Sequence, residues 1–326
     1  MNPSKLNPIA VGVTVASLLV SFTACAQSYP ARPVRLLVPS TPGGSVDTLA
    51  RAVATRLSEK WGQQMVVDNR PGAGGVIAAE LTAKAPPDGY TLIMCTVASC
   101  ATNVSLHRNL SYDPVRDFEP VTLIATQNLM LLIHPSIAAT SVKELVAMAK
   151  ANPGKYSFAS AGNGTGGHLS GELFKILADI DMLHVPYKGV APAIVDVIGG
   201  QVSMTFASIL SSLPHVKSGK LKALAVTGSR RSPAAPELPT MMEAGVKGYE
   251  SATWYGVLAP ARTSKDIVHK LNADIVGMLK QPEVRDRLSK EGADPVGSSP
   301  QEFGSYIKAE IAKWSKVIRS AKIQAN

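Results

Sequence analysis

Aromatic residues are scarce, at 5% of the chain, and charged residues make up only 17%. A nucleic-acid surface needs aromatic platforms or long basic runs; here the basic residues are scattered, which argues against that class of partner. Cysteine is nearly absent: Cys25, Cys95 and Cys100 are three in 326 residues, and no C-x-x-C spacing offers a metal-ligand pair. The six histidines are dispersed, and no H-E-x-x-H, G-x-x-x-x-G-K-[ST] or G-x-S-x-G motif occurs. The familiar zinc-protease, P-loop and α/β-hydrolase chemistries therefore have no foothold. Beyond the N-terminus, no apolar run approaches the about 20 residues of a membrane span.

What is present is a hydrophobic content of 45%, enough for a real core, over a length that suits two ordinary domains. Lys5 stands before the small and apolar run Ile9–Val20, and Ala24-Cys25-Ala26 follows. That is the three-part pattern of a secretory signal with an A-x-A cleavage site, so residues 1–26 are expected to be removed on export. A lipoprotein reading of Cys25 competes, but Phe22 stands where such sites usually carry Leu. The formal charge is +9, to which the signal contributes only Lys5; the mature chain keeps +8, which suits anionic ligands. In an oxidising compartment Cys95 and Cys100 can pair or remain buried thiols, and the spacing leaves both open.

From residue 30 onward, short apolar runs alternate with helical patterns. Strand Val34–Val38 runs into Pro39-Ser40-Thr41-Pro42-Gly43-Gly44-Ser45, and Val46, Leu49, Ala50, Val53 and Leu57 then recur on one helical face. Ser45 suits an N-cap, and Asp47 puts an acid in the first turn. Such a Gly-rich loop turns backbone N–H groups at a helix start outward, where an anion fits. Strand Met65–Asn69, a helix through Ile77 and Leu81, and strand Tyr90–Cys95 complete parallel βαβ units. The loops after Val38, Asn69 and Cys95 then share one rim.

The device appears again further on. Strand Tyr156–Ser160 leads through Ala161-Gly162-Asn163-Gly164-Thr165-Gly166-Gly167 into a helix over His168–Leu177. Apolar runs at Val121–Ala125 and Leu129–Ile133, strands Met182–Pro186, Val202–Phe206 and Ala223–Thr227, and C-terminal helices at 265–280, 282–290 and 300–320 fill out the chain. Two α/β units of similar plan are expected, without residue-level repetition. Gly162-x-Gly164-x-x-Gly167 has dinucleotide-loop spacing, but the following strand ends in Tyr187-Lys188-Gly189 and lacks the acid that would bind ribose. A Cys100–His107 nucleophilic pair lacks a third orienting group. His168, in the first helical turn behind the second loop, is better placed to face a ligand.

Taken in order, several segments carry a resemblance. They are Tyr29-Pro-x-Arg-Pro-Val-Arg-Leu-Leu-Val-Pro39, Gly43-Gly44-x-x-Asp47, Asn69-Arg-Pro-Gly-Ala-Gly-Gly75, Asp88-Gly-Tyr-Thr-Leu92 and Gly164-Thr-x-x-His168. Val185-Pro-Tyr-Lys-Gly189, Gly219-Lys-Leu-Lys-Ala-Leu-Ala-Val-Thr227, Trp254-x-Gly256 and Pro282-Glu-Val-Arg285 follow. From about Tyr29 to the C-terminus the chain resembles the Bug family, periplasmic solute receptors of tripartite tricarboxylate transport systems. The resemblance implies an α/β, two-domain Venus-flytrap fold of the type II-like periplasmic-binding-protein kind, each domain a mixed, mostly parallel sheet flanked by helices. It implies domain 1 over 27–126 plus 254–326, domain 2 over 127–253, and a hinge near 126 and 253. It further implies a monomer without catalysis, cofactor or metal, which hands a carboxylate to membrane permease subunits. The ligand would sit among Ser40, Thr41, Gly43, Gly44, Asp47 and Asn69 on one side and Ser160, Gly162, Gly164, Thr165 and His168 on the other. Two departures matter. The family's usual Pro-Phe-Pro-Ala-Gly-Gly is replaced by Pro39-Ser-Thr-Pro-Gly-Gly44, and Ala207 stands where an Asp is common. Loss of that acid disfavours an amino group, so a dicarboxylate or an aromatic acid is expected. An exported enzyme and a sensory receptor are the rival readings.

Overall fold

β1 (Val34–Val38) leads to α1 (Ser45–Trp61), β2 (Met65–Asn69), α2 (Val76–Ala83) and β3 (Thr91–Thr96) in the computed structural model, which describes residues 29–290, 292–320 and 323. The signal segment and Cys25 lie outside these residues. β1 pairs in parallel with both β2 and β3, so the loops after the three strands open on one rim. A π-helical turn at Ala98–Thr102 and the short α3 (Asn103–Leu106) follow, an irregular stretch without sequence periodicity.

β4 (Phe118–Ile133) is one strand of 16 residues where the sequence pattern shows two apolar runs. Beyond it come α4 (Val142–Ala151), β5 (Ser157–Ser160), α5 (Gly166–Ala178), β6 (Leu183–Pro186), α6 (Val190–Ile198), β7 (Met204–Ser208), α7 (Ile209–Lys217) and β8 (Lys222–Val226). The chain returns through β9 (Ala252–Pro260) and ends in α8 (Lys265–Leu279), α9 (Pro282–Lys290), β10 (Ala293–Pro295) and α10 (Pro300–Ser320). Among the described residues the strands form one continuous sheet in the order β2-β1-β3-β9-β4-β7-β5-β6, with β8 and β10 also paired to β4.

The sheet changes company along β4. Residues Phe118–Asn128 pair antiparallel with β9, and Leu129–Ile133 pair with β7 and β8. The apolar cores divide at nearly the same place. Leu36, Leu92, Val257 and Leu271 fill one face of the first part of the sheet; Leu37, Ile93, Leu258 and Trp314 fill the other. Leu131, Phe158, Phe206 and Tyr249 cover one face of the second part, with Met130, Ala159, Val197 and Val226 on the opposite face. Neighbouring residues such as Leu36 and Leu37 thus serve opposite cores, as the period of two along a strand requires. α1 buries Leu49, Ala50, Val53 and Leu57 as its periodicity predicts, each large aliphatic contributing about 1.5–3 kcal/mol. α10 is tied down by Glu310, whose Oε2 accepts from Trp254 Nε1 at 2.9 Å and Trp314 Nε1 at 2.8 Å.

Candidate functional site

The first loop, Pro39–Gly44, is braced from beneath. Asp47, 3% exposed in the first turn of α1, accepts hydrogen bonds from Gly43 N, Arg51 Nε and Asn69 Nδ2, each at 2.9 Å. Asn69 Nδ2 also donates to Ser40 O at 3.0 Å, joining the end of β2 to the loop. Burial pushes the Asp47 carboxyl up, but the bonds from Arg51, Gly43 and Asn69 outweigh it and hold the carboxyl below its usual range. Asp47 and Asn69 therefore shape the loop from its inner side. Gly44, not Ser45, is the N-cap residue of α1. Ser45 lies inside the helix, where its Oγ donates across to Ser208 Oγ at 3.0 Å.

The second loop, Ser160–Thr165, rests on a different kind of support. Ser160 Oγ donates to Gly162 O and accepts from Gly162 N, both at 3.1 Å, and lies 2.7 Å from His184 Nε2. Thr165 Oγ1 donates to Gly162 O at 2.7 Å. His168 is only 3% exposed, beneath the loop, where its Nδ1 accepts from Gly164 N at 3.0 Å. Gly164 has φ +73°, a conformation in which any side chain is strained.

Hydrogen bonds tie the surroundings of the two loops together. Thr102 Oγ1 in the π-helical turn donates to Gly164 O at 3.0 Å, and Ser45–Ser208 makes a second link. Thr41 Oγ1 lies 3.9 Å from the position a Cβ would take at Gly189, the residue before α6. Ser40 Oγ and Asn103 Oδ1 are buried polar atoms with no hydrogen-bond partner. Asn103 Nδ2 is fixed by Gly74 O at 3.1 Å, which leaves the amide oxygen as the free end. Ala207 is 1% exposed in the apolar packing of β7, and the hydroxyl beside it, on Ser208, is what reaches the first loop.

Helix starts divide into two groups. Those of α4, α7 and α8 are capped by Ser141, Ser208 and Ser264, whose hydroxyls accept from Glu144 N, Ser211 N and Ile267 N. Those of α1, α2, α5 and α6 follow Gly44, Gly75, Thr165 and Gly189 with no side-chain cap. The first amides of these helices have no partner within the helix, so they remain available to an anion, and each helix dipole adds about half a positive charge. Arg51 is already committed to Asp47 and Asn69. Any attraction these loops hold for an anion thus comes from the backbone.

Residues 49–323 match the family described as tripartite tricarboxylate transporter family receptors. The chain belongs to this family. It is 37% identical to protein BugT of Bordetella pertussis over 320 residues, covering 98% of each chain. Its fold superposes on R. palustris Rpa4515, solved with adipate, at a TM-score of 0.87 and 42% identity, covering 91% of this chain and all of that one. MatC from Rhodopseudomonas palustris, solved with bound malate, gives 0.82 and 33% identity, with 89% of this chain and all of that one covered. The receptor has the mixed α/β architecture of the periplasmic binding proteins, and receptors of this family are periplasmic.

Among the receptor's described residues no helix is long and apolar enough to cross a membrane, and no group of three or more His, Cys, Asp or Glu could hold a metal. Cys95 and Cys100 are buried free thiols, and burial followed by the neighbouring Cys100 pushes the Cys95 thiol well up. A shallow surface depression of about 400 Å³ is lined by Pro33–Arg35 at the start of β1 and by Val66–Asn69 of β2, and it contains none of the Gly-rich loop amides. Sequence reasoning missed Ser45, Thr102, Asn103, His184 and Ser208. Only Ser208 left a usable signal, as a serine between an apolar strand and a helical pattern.

Proposed function

We propose that this receptor closes on a small dicarboxylate between the Pro39–Gly44 and Ser160–Thr165 loops and delivers it to membrane permease subunits. The observation that carries the reading is the set of helix starts without a side-chain cap that follow the Gly-rich loops. A carboxylate there would take N–H bonds from a rigid backbone, which are stronger than neutral hydrogen bonds and need no reorganisation. Thr41, Gly43, Gly44, Gly162, Gly164 and Thr165 frame the ligand, Ser40 supplies a hydroxyl, and Ser160 anchors the second loop. Asp47, Asn69 and His168 hold the loops in place. The relatives with adipate and malate support a dicarboxylate over an aromatic acid. Ala207 leaves no acid for an ammonium group, so amino acids are disfavoured.

In this reading, residues 27–126 with 254–326 form one domain and 127–253 the other. They rotate about the β4 and β9 crossings near residues 126 and 253, and the ligand stabilises the closed state. The mature receptor starts after Ala26, acts as a monomer in the periplasm and releases its ligand unaltered. Calorimetric titration with adipate, malate, benzoate and aspartate tests the proposal. Micromolar or tighter binding of a dicarboxylate, recovered unchanged, is expected. Tight binding of aspartate alone overturns it.

A further inference from the structure

His168 and His184 lie face to face beneath the second loop, with ring centroids 3.8 Å apart and planes only 6° from parallel. Phe158 continues the stack against His184 at 4.8 Å. The rings come from different elements, α5 and β6, and Phe158↔His184 is a register pair of β5 and β6. Each ring holds a different point of the loop. His168 Nδ1 accepts the Gly164 N–H, so its proton must sit on Nε2, which faces Glu172 Oε1 at 3.9 Å. His184 Nε2 bonds Ser160 Oγ at 2.7 Å, and the same hydroxyl contacts Gly162 O and N at 3.1 Å. The His168 ring is therefore an Nε2–H tautomer that accepts through Nδ1, while His184 bonds the loop through Nε2.

We infer that this stacked pair is a positioning device for the carboxylate clamp, in which His168 fixes Gly164, His184 fixes Ser160, and neither ring touches the ligand. With Gly162 and Gly164 held at both ends, the loop delivers the first amides of α5 in a fixed direction. The same bonds account for the burial of His168 under a loop whose sequence suggested that it would face the cleft. The inference rests on reading that loop as half of a carboxylate site.

Crossed amide substitutions separate positioning from packing. Asn places its oxygen where Nδ1 stands, and Gln places its amide nitrogen near Nε2. H168N and H184Q are expected to bind adipate within about threefold of wild type. H168Q, H168A and H184N are expected to lose about tenfold or more, at thermal midpoints matched to their partners by calorimetry. Equal losses for Asn and Gln at both positions would overturn the assignment. Nitrogen-15 NMR of the imidazoles in the mature wild-type protein decides without a ligand. His168 is expected as the Nε2–H tautomer at pH 7, and an Nδ1–H ring would end the proposal even if every carboxylate bound. Failure of wild type to bind any carboxylate, with the His168 tautomer as stated, would instead sink the functional reading and leave the loop geometry standing.

Discussion

The two loops reach the same end by opposite electrostatic means. The first is held by an ionised carboxylate, Asp47, with Arg51 and Asn69 around it. The second is held by two uncharged imidazoles stacked against Phe158. Asp47 and His168 are equally buried, each 4% exposed at its side chain, but Arg51 is 54% exposed and carries the ionic brace out to water. A buried charge can serve as a brace where a water-exposed counter-ion shares its field, whereas a support without such a partner avoids the cost of desolvation by staying neutral. The backbone geometry of a clamp therefore does not dictate the chemistry beneath it. Access to a counter-ion does.

The largest break in this comparison should come from a single methyl group. A Cβ at Gly167 would sit 2.6 Å from Phe206 O, a backbone atom that cannot step aside, whereas one at Gly43 meets nothing within 4 Å. Gly167→Ala is expected to cost about 3 kcal/mol in stability and about 100-fold in adipate affinity. Gly43→Ala, strained only by its φ of +84°, should cost about 1 kcal/mol. Urea melts and calorimetry on both variants measure the gap.

Acid should act on the second loop before the first. Burial lowers His168 to about 3 and His184 to about 4, the second ring and Lys175 adding to the shift. Below about pH 6.5 the unfolded chain takes up protons that the folded one refuses, so stability falls continuously as pH drops toward 4. By pH 5 the loss should be about 3 kcal/mol, and His184→Phe, which stacks without titrating, should remove about half of the slope. Asp47, held low, keeps its contribution until the pH falls below the ordinary carboxylate value of about 4. A melting curve flat from pH 7 to 5 would erase the contrast.

Asp47→Asn keeps an acceptor for Gly43 N but discards the charge, so a loss of about 1 kcal/mol is expected, and it should shrink in high salt. No comparable salt effect should appear for variants of the histidine pair. Ser40→Phe is expected to have the smallest effect on folding, under about 1 kcal/mol, while changing the ratio of adipate to malate affinity several-fold. An unchanged ratio would show that selectivity lies elsewhere in the cleft.

Much of this was legible because it is local. Val46, Leu49, Val53 and Leu57 announce α1, and both Gly-rich loops stand out between a strand and a helix. The continuity of β4 was hidden by Thr126-Gln127-Asn128, three polar residues amid apolar runs. They are polar because the strand changes partners there; Tyr255 Oη donates to Gln127 Oε1 at 2.8 Å in that stretch. Ser45 looked like a cap because serine before a helical pattern usually is one, but Gly44 takes that place and frees the hydroxyl to span the cleft. His184 could not be read at all. Its significance lies in stacking on a residue 16 positions earlier, and nothing in a four-residue strand advertises such a partner.

The long β4 strand and its return partner β9 also fix a timetable. The second core closes on itself within residues 129–249, where chain loops are short. The first core joins Leu36 and Leu37 to Leu271 and Trp314, residues that arrive last from the ribosome or the export channel. Closing that span costs more chain entropy, and contacts of such separation form slowly. The middle of the polypeptide can therefore mature while its two ends are still apart, and a receptor truncated before α10 would carry a finished inner unit on an outer one that has no means of completing its core.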